Sequence, residues 1–420
     1  MPHLKKHLRW GDPLKRMHHR SKIHILILLS FFLFLSGCAT ARHATPLELL
    51  PHVKISGLQD IRAISGEPSD TFKNDFISLL EQEEKEGFSF FDFKSVKTYS
   101  MLAISGGSAN GAYGAGLLCG WTKSGSRPVF KIITGISTGA VIAPLAFMGP
   151  DYDDKLKEFY TSYSTKDIIR LRNPRIRIPF SNSIADSWPL ERLLEKYFDA
   201  KFIDAVAAEY KKGRRLYIGT TNLDADRMVV WDMGKIASVG DEKSQELFRK
   251  IILASSSMPI AFPPVYFKAE LANNVYDEMH VDGGLIHQVF FLHDVLKGFD
   301  KAIKEKGIDT RRIKFQIYVI RNGYVDPVYK EVPDKMIPIA ERTVDAITNS
   351  QSVGDLYQLY MFNKDGNGDF NLAYIPATHI TRPKELFDRK EMIDLFNLGF
   401  KEASEGYSWR KSPPGRDAVE

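Results

Sequence analysis

The chain has 420 residues, 44% of them hydrophobic, enough for one large domain or two smaller ones, and a formal net charge of +5. Residues 1–22 hold seven Lys or Arg and one acid, so the remainder sits near −1. That excludes a nucleic-acid partner inferred from overall basicity.

The basic segment precedes an apolar run, Ile23 to Leu35, interrupted only by His24 and Ser30. A membrane span needs about 20 residues, so this run is short for crossing a bilayer but suits the core of a signal peptide. Leu35-Ser-Gly-Cys38-Ala39 then follows and resembles the lipobox of bacterial lipoproteins. The resemblance implies that residues 1–37 are a signal peptide and that Cys38 is lipidated and begins the mature chain. With Ala39 next, it also implies the outer membrane of a two-membrane bacterium, on its periplasmic face or at the cell surface. Met17 is an alternative start. A lipidated Cys38 rules out an internal disulfide and leaves Cys119 as a buried small hydrophobe.

Residues 38–97 are expected to form a tether and a helical preface, with Glu81 to Glu86 on a solvated helix face. Residues 98–300 are expected to form one domain. The apolar run Met101 to Ile104 leads into a glycine-rich turn, Ser105 to Gly116, and then a helix from Leu117. Phe130 to Ile133, the turn Gly135-Ile-Ser-Thr-Gly139 and a helix over 140–147 repeat the unit. Two such units predict a parallel α/β sheet with its site at the strand ends. Strands are expected over 215–222, 228–232 and 275–281, and a helix over 244–257. Residues 301–420 are expected to add a strand over 313–320 and helices over 333–362 and 383–404, packed on that domain.

Three stretches carry chemistry. Ser137 lies between Gly135 and Gly139, and a tight strand-to-helix turn exposes a serine Oγ next to a helix N-terminus. Crowded glycines at 106, 107 and 111 present backbone N–H groups suited to an oxyanion or a phosphate. Ala112 stands where a nucleotide-binding loop would want Lys, which argues against a nucleotide cofactor. Asp282-Gly283-Gly284 ends an apolar strand and leaves room for a loop to approach the carboxylate. Asp365 to Asp369 mimics a calcium loop, but Phe370 and Pro376 occupy the wrong positions, so no metal is expected. Arg170, Arg172, Arg175 and Arg177 alternate with apolar residues, as on a charged edge segment or a surface for anionic lipid.

Four histidines follow Ser137: His280, His287, His293 and His379. A conventional Ser-Asp-His esterase of the α/β-hydrolase kind would use a late one such as His379. A non-catalytic surface lipoprotein is the other alternative.

The order of the glycine-rich loop, G-x-S-x-G, the segment Ala254 to Pro264 and Asp-Gly-Gly resembles the patatin-like phospholipase family over roughly residues 98–300. The resemblance implies a three-layer α/β/α fold with a mostly parallel central sheet and a Ser-Asp dyad hydrolysing membrane lipid esters without a cofactor. By motif, Ser137 is the nucleophile and Asp282 the proton acceptor, and Gly106, Gly107, Ser108 and Gly111 form the oxyanion loop. The motif glycines are Gly135, Gly139, Gly283 and Gly284. Two positions depart from the family: Ser108 replaces a glycine and Asn110 a basic residue. A hole made of backbone predicts that Ser108→Gly is tolerated and that Gly107→Val loses activity while still folding. A carboxylate base predicts an acid limb in the rate, distinct from an imidazole limb near 6.5. Ser137 and Asp282 are expected to meet because the strand ends of a parallel sheet gather on one edge.

Overall fold

Alternation along the central strands explains the layering. In β3 (Lys97–Ile104), Leu102 and Ile104 enter one apolar cluster while Tyr99, Met101 and Ala103 enter another. In β11 (Ile313–Arg321), Tyr318 and Ile320 divide from Ile317 and Val319 in the same way. Successive side chains point to opposite faces, so both faces of the sheet are covered by packed helices. The computed structural model describes residues 42–85, 97–172, 182–292, 313–329, 331–365, 368–380 and 383–416. From Ala44 onward they belong to one compact unit. The signal segment with Cys38, Arg175, Arg177, His293 and residues 366–367 of the calcium-like turn lie outside the described residues.

One sheet of ten described strands has a parallel centre, β7 (Arg215–Asn222), β4 (Ile132–Gly135), β3, β11 and β12 (Asp369–Tyr374), in that order. Antiparallel strands extend it. β10 (Asn274–Asp282) pairs with β7, β9 (Val265–Leu271) with β10, and β1 (Lys54–Ile55) with β9. β8 (Arg227–Asp232) runs beside β7 and β2 (Arg62–Ile64) beside β8. One helical layer includes α2 (Gly111–Lys123), α3 (Thr138–Met148), α9 (Glu242–Ser255) and α11 (Arg389–Ser404). The other includes α1 (Asp70–Lys85) and α10 (Met336–Asp365). Shorter helices lie between: α4 (Asp153–Thr161), α5 (Thr165–Ile168), α6 (Trp188–Tyr197), α7 (Ala200–Lys211) and α8 (Met233–Ala237). β5 (Arg170–Leu171) and β6 (Ala185–Asp186) form a separate two-stranded ladder, with Arg172 paired to Asp186 at 2.5 Å. No described helix is long and apolar enough to cross a membrane.

Three features differ from the sequence reading. Residues 54–64, assigned to a tether, supply two strands of the main sheet. The sheet also continues past residue 300, because β11 lies between β3 and β12. Finally, α2 begins at Gly111 rather than Leu117. Its later glycines serve packing: a Cβ at Gly116 or Gly120 would collide with Phe396 O or Phe400 O of α11, so these positions let two helices cross at close range.

Candidate active site

Ser137 sits between β4 and α3 with φ 56° and ψ −123°, a strained conformation for a residue with a side chain. Its neighbours make the bend possible. A Cβ at Gly135 would collide with Gly139 O, and one at Gly139 with Ile104 O of the adjacent strand. The bend is clamped from α9. Ser255 Oγ accepts Ser137 N–H at 3.0 Å and donates to Gly219 O at 2.6 Å. The bend is therefore held by backbone crowding and one buried hydroxyl, which leaves the Ser137 Oγ out of the clamp.

The Ser137 hydroxyl lies near enough to the Asp282 carboxylate to stabilise its charged form. Asp282 ends β10 and is 7% exposed, and its Oδ1 accepts Gly284 N–H at 2.8 Å. Burial raises its pKa to about 6 against the opposing influence of the Ser137 hydroxyl and the Gly284 N–H. Gly283 lets the turn pass close to Gly219 O, which a Cβ would strike. The two residues meet, but not for the reason expected. β10 is antiparallel to β7, so Asp282 arrives from the opposite direction, level with Thr220 and just past the end of β4.

The loop after β3 lies against the nucleophile: a Cβ on Gly106 would fall 3.2 Å from Ser137 Cβ and 3.8 Å from its Oγ. The structure corrects its membership as an oxyanion hole. Gly106 N–H is already given to Gln288 O at 3.0 Å, and Gly111 N–H to the Ser108 and Ala109 carbonyls. Gly111 instead allows close approach to Thr138, whose Oγ1 a side chain would strike. Gly107 N–H and Ser108 N–H have no acceptor among the described residues, so they are the available donors. Gly107→Val is also corrected as a clean probe. At φ 154°, a Cβ there would collide with Asn322 O and displace the loop. Ser108, at φ 52°, holds a conformation that glycine adopts freely.

The histidines are engaged elsewhere or stand apart. His280 is buried and pairs Nδ1 with Thr220 Oγ1 at 2.8 Å and Nε2 with Glu278 at 3.1 Å, and burial lowers its pKa. His287 Nδ1 lies 2.8 Å from Asp355. The His379 Nε2 has no partner among the described residues, and its carbonyl accepts from the Tyr324 hydroxyl. The predicted nucleophile and acid thus come together without an imidazole between them.

Residues behind the loop escaped the sequence reading. Asn322 donates its N–H to Ser105 Oγ and its Nδ2 to Ser105 O, both at 2.9 Å, and its Oδ1 accepts Gly114 N–H at 3.1 Å. Gln288 is held by Asp355, which accepts Gln288 N–H at 2.6 Å. The signal available for Asn322 was its place just beyond the carboxyl end of a parallel strand, where sites of such sheets lie.

The fold and site define the class: an α/β/α protein with a serine on a strand-to-helix turn facing a buried carboxylate. Residues 102–293 match the family model described as patatin-like phospholipase, so the chain carries a patatin-like phospholipase domain, which places it at a coarse level among lipid acyl hydrolases. Among solved structures it is similar to VipD from Legionella pneumophila, 11% identical, over 74% of this chain and 67% of that chain, with a TM-score of 0.36. No curated protein matches it in sequence.

Proposed function

We propose that the protein is a membrane-anchored serine esterase that hydrolyses acyl esters of phospholipids or lysophospholipids through an acyl-enzyme. The observation that supports this most is the placement of the Ser137 hydroxyl, on its strained turn, beside the buried Asp282 carboxylate. Ser137 Oγ attacks the ester carbonyl as its proton passes to Asp282. The N–H groups of Gly107 and Ser108 hold the charge that develops on the carbonyl oxygen. Collapse of the tetrahedral species expels the alcohol, which takes the proton from Asp282. Water then repeats the sequence on the acyl-serine, with Asp282 again as proton acceptor. The test is fatty-acid release from vesicles and micelles of phospholipid and lysophospholipid by the full chain. Release that persists in Ser137→Ala rejects the proposal.

A backbone oxyanion hole carries its own prediction. Ser108→Gly is expected to keep turnover within about threefold and to be neutral or slightly stabilising, because it relieves a left-handed residue without removing an N–H. Steady-state kinetics and thermal melting check this.

Anchoring through Cys38 is proposed from its lipobox-like surroundings, with the outer membrane as its place. Two or more acyl chains hold a protein on a bilayer far better than one, each buried CH₂ contributing about 0.8 kcal/mol. Metabolic labelling with palmitate is expected to mark the wild type and not Cys38→Ala, and the variant is expected to leave the membrane fraction. Equal labelling of both would reject the anchor.

A further inference from the structure

Arg321, the last residue of β11, is 4% exposed and pairs with no carboxylate among the described residues. Its Nη1 donates to Gly106 O at 3.1 Å and to Ser105 Oγ at 3.3 Å, and its Nη2 to Asn349 Oδ1 at 3.2 Å. Its Nε finds no partner among the described residues. Asp355 acts on it only at a distance and already accepts from Gln288 N–H, Val289 N–H and His287. Burying a cation without an ion pair opposes stability, so packing alone gives no reason for it to be there.

The contact with Gly106 O supplies a reason. That carbonyl also accepts from Ser105 Oγ at 2.7 Å, so it is held from two sides. No peptide bond in the described residues is cis, and in a trans peptide the C=O and the following N–H point in opposite directions. Whatever fixes Gly106 O therefore aims Gly107 N–H. That N–H follows directly on Gly106, where a Cβ would fall 3.2 Å from Ser137 Cβ, and it has no acceptor among the described residues. The loop from Ser105 to Gly111 contains no charged side chain of its own. A guanidinium on the carbonyl end draws electron density from the amide, and the effect is strong in a dry interior.

We infer that Arg321 is a positioning residue for the oxyanion hole: it holds the Gly106–Gly107 peptide with its N–H toward the nucleophile and polarises that N–H for the charge that forms there. The inference rests on the reading of Ser137 as nucleophile.

The test uses the full chain with p-nitrophenyl butyrate, counting active sites by fluorophosphonate titration. Arg321→Met removes the charge and the donors but keeps an apolar side chain. It is expected to lower kcat per titrated site about 10- to 100-fold while KM stays within about twofold. Affinity for an alkyl trifluoromethyl ketone, whose serine adduct carries an oxyanion, is expected to fall by the same factor as kcat/KM. Arg321→Lys keeps a cation without the planar fork and is expected to lose only about three- to tenfold, in kcat and ketone affinity alike. Should Arg321→Met fail to fold, Arg321→Lys decides on the same two readouts. Fewer titratable sites with unchanged kcat per site and unchanged ketone affinity would mean that Arg321 is merely structural, which overturns the inference. A wild type that neither titrates nor turns over overturns the esterase reading, and this inference with it.

Discussion

Asp282→Asn and Ser137→Ala are each expected to lower turnover at least about a thousandfold, and the double variant to be no worse than either single one. The reason is geometric. The Ser137 hydroxyl lies beside the Asp282 carboxylate, and His280, His287 and His379 have their side chains engaged or placed elsewhere. A neutral amide at 282 can still accept Gly284 N–H and keep the turn, but it cannot take the serine proton. Ester turnover of the three variants, each normalised to folded protein, checks the expectation. More than a tenth of wild-type activity in Asp282→Asn, or a loss as severe as that of Ser137→Ala in His280→Ala, His287→Ala or His379→Ala, would remove the dyad.

The rate is expected to fall about tenfold per pH unit below about 6, because burial lifts Asp282 to that value and only its charged form can accept a proton. This moves the limb close to the ordinary histidine range, so its position no longer separates carboxylate from imidazole as the sequence reading supposed. Its temperature dependence does: a carboxylate pKa barely changes on warming, whereas an imidazole pKa falls. Stability follows from the same shift. Asp282 is easier to protonate when folded than when unfolded, so its charge opposes folding. The penalty is absent below the unfolded value of 3.8, grows between 3.8 and about 6, and is full above that. Asp282→Asn is therefore expected to be more stable than wild type by about 1–3 kcal/mol at pH 8, with the gain disappearing toward pH 4. Denaturant melts at the two pH values measure it, and equal stabilities at pH 8 would contradict the burial argument.

The chemistry-bearing motifs could be found in the chain because each needs short-range spacing. Ser137 between two glycines, the loop at 105–111 and Asp282 before two glycines all encode local backbone shapes. What sequence could not convey was which groups those shapes leave unused. Gly106 belongs to the loop by motif, yet its N–H is taken by Gln288, a residue 182 positions later that no local pattern ties to it. The direction of β10 was missed for a similar reason: apolar alternation shows a strand but not whether its neighbour runs with it. Residues 54–64 looked like tether because strands of two and three residues carry almost no periodic signal. Arg321 and Asn322 could be placed at a strand end, but their hold on the loop after β3 depends on β11 and β3 being neighbours, which only the assembled sheet reveals.

The most direct test of the account is to treat the purified full chain with a fluorophosphonate and locate the adduct by peptide mass spectrometry. A serine polarised by Asp282 predicts a single adduct on the peptide containing Ser137, formed far more slowly in Asp282→Asn. Folded protein that takes up no label, or an adduct on any other residue, would contradict it.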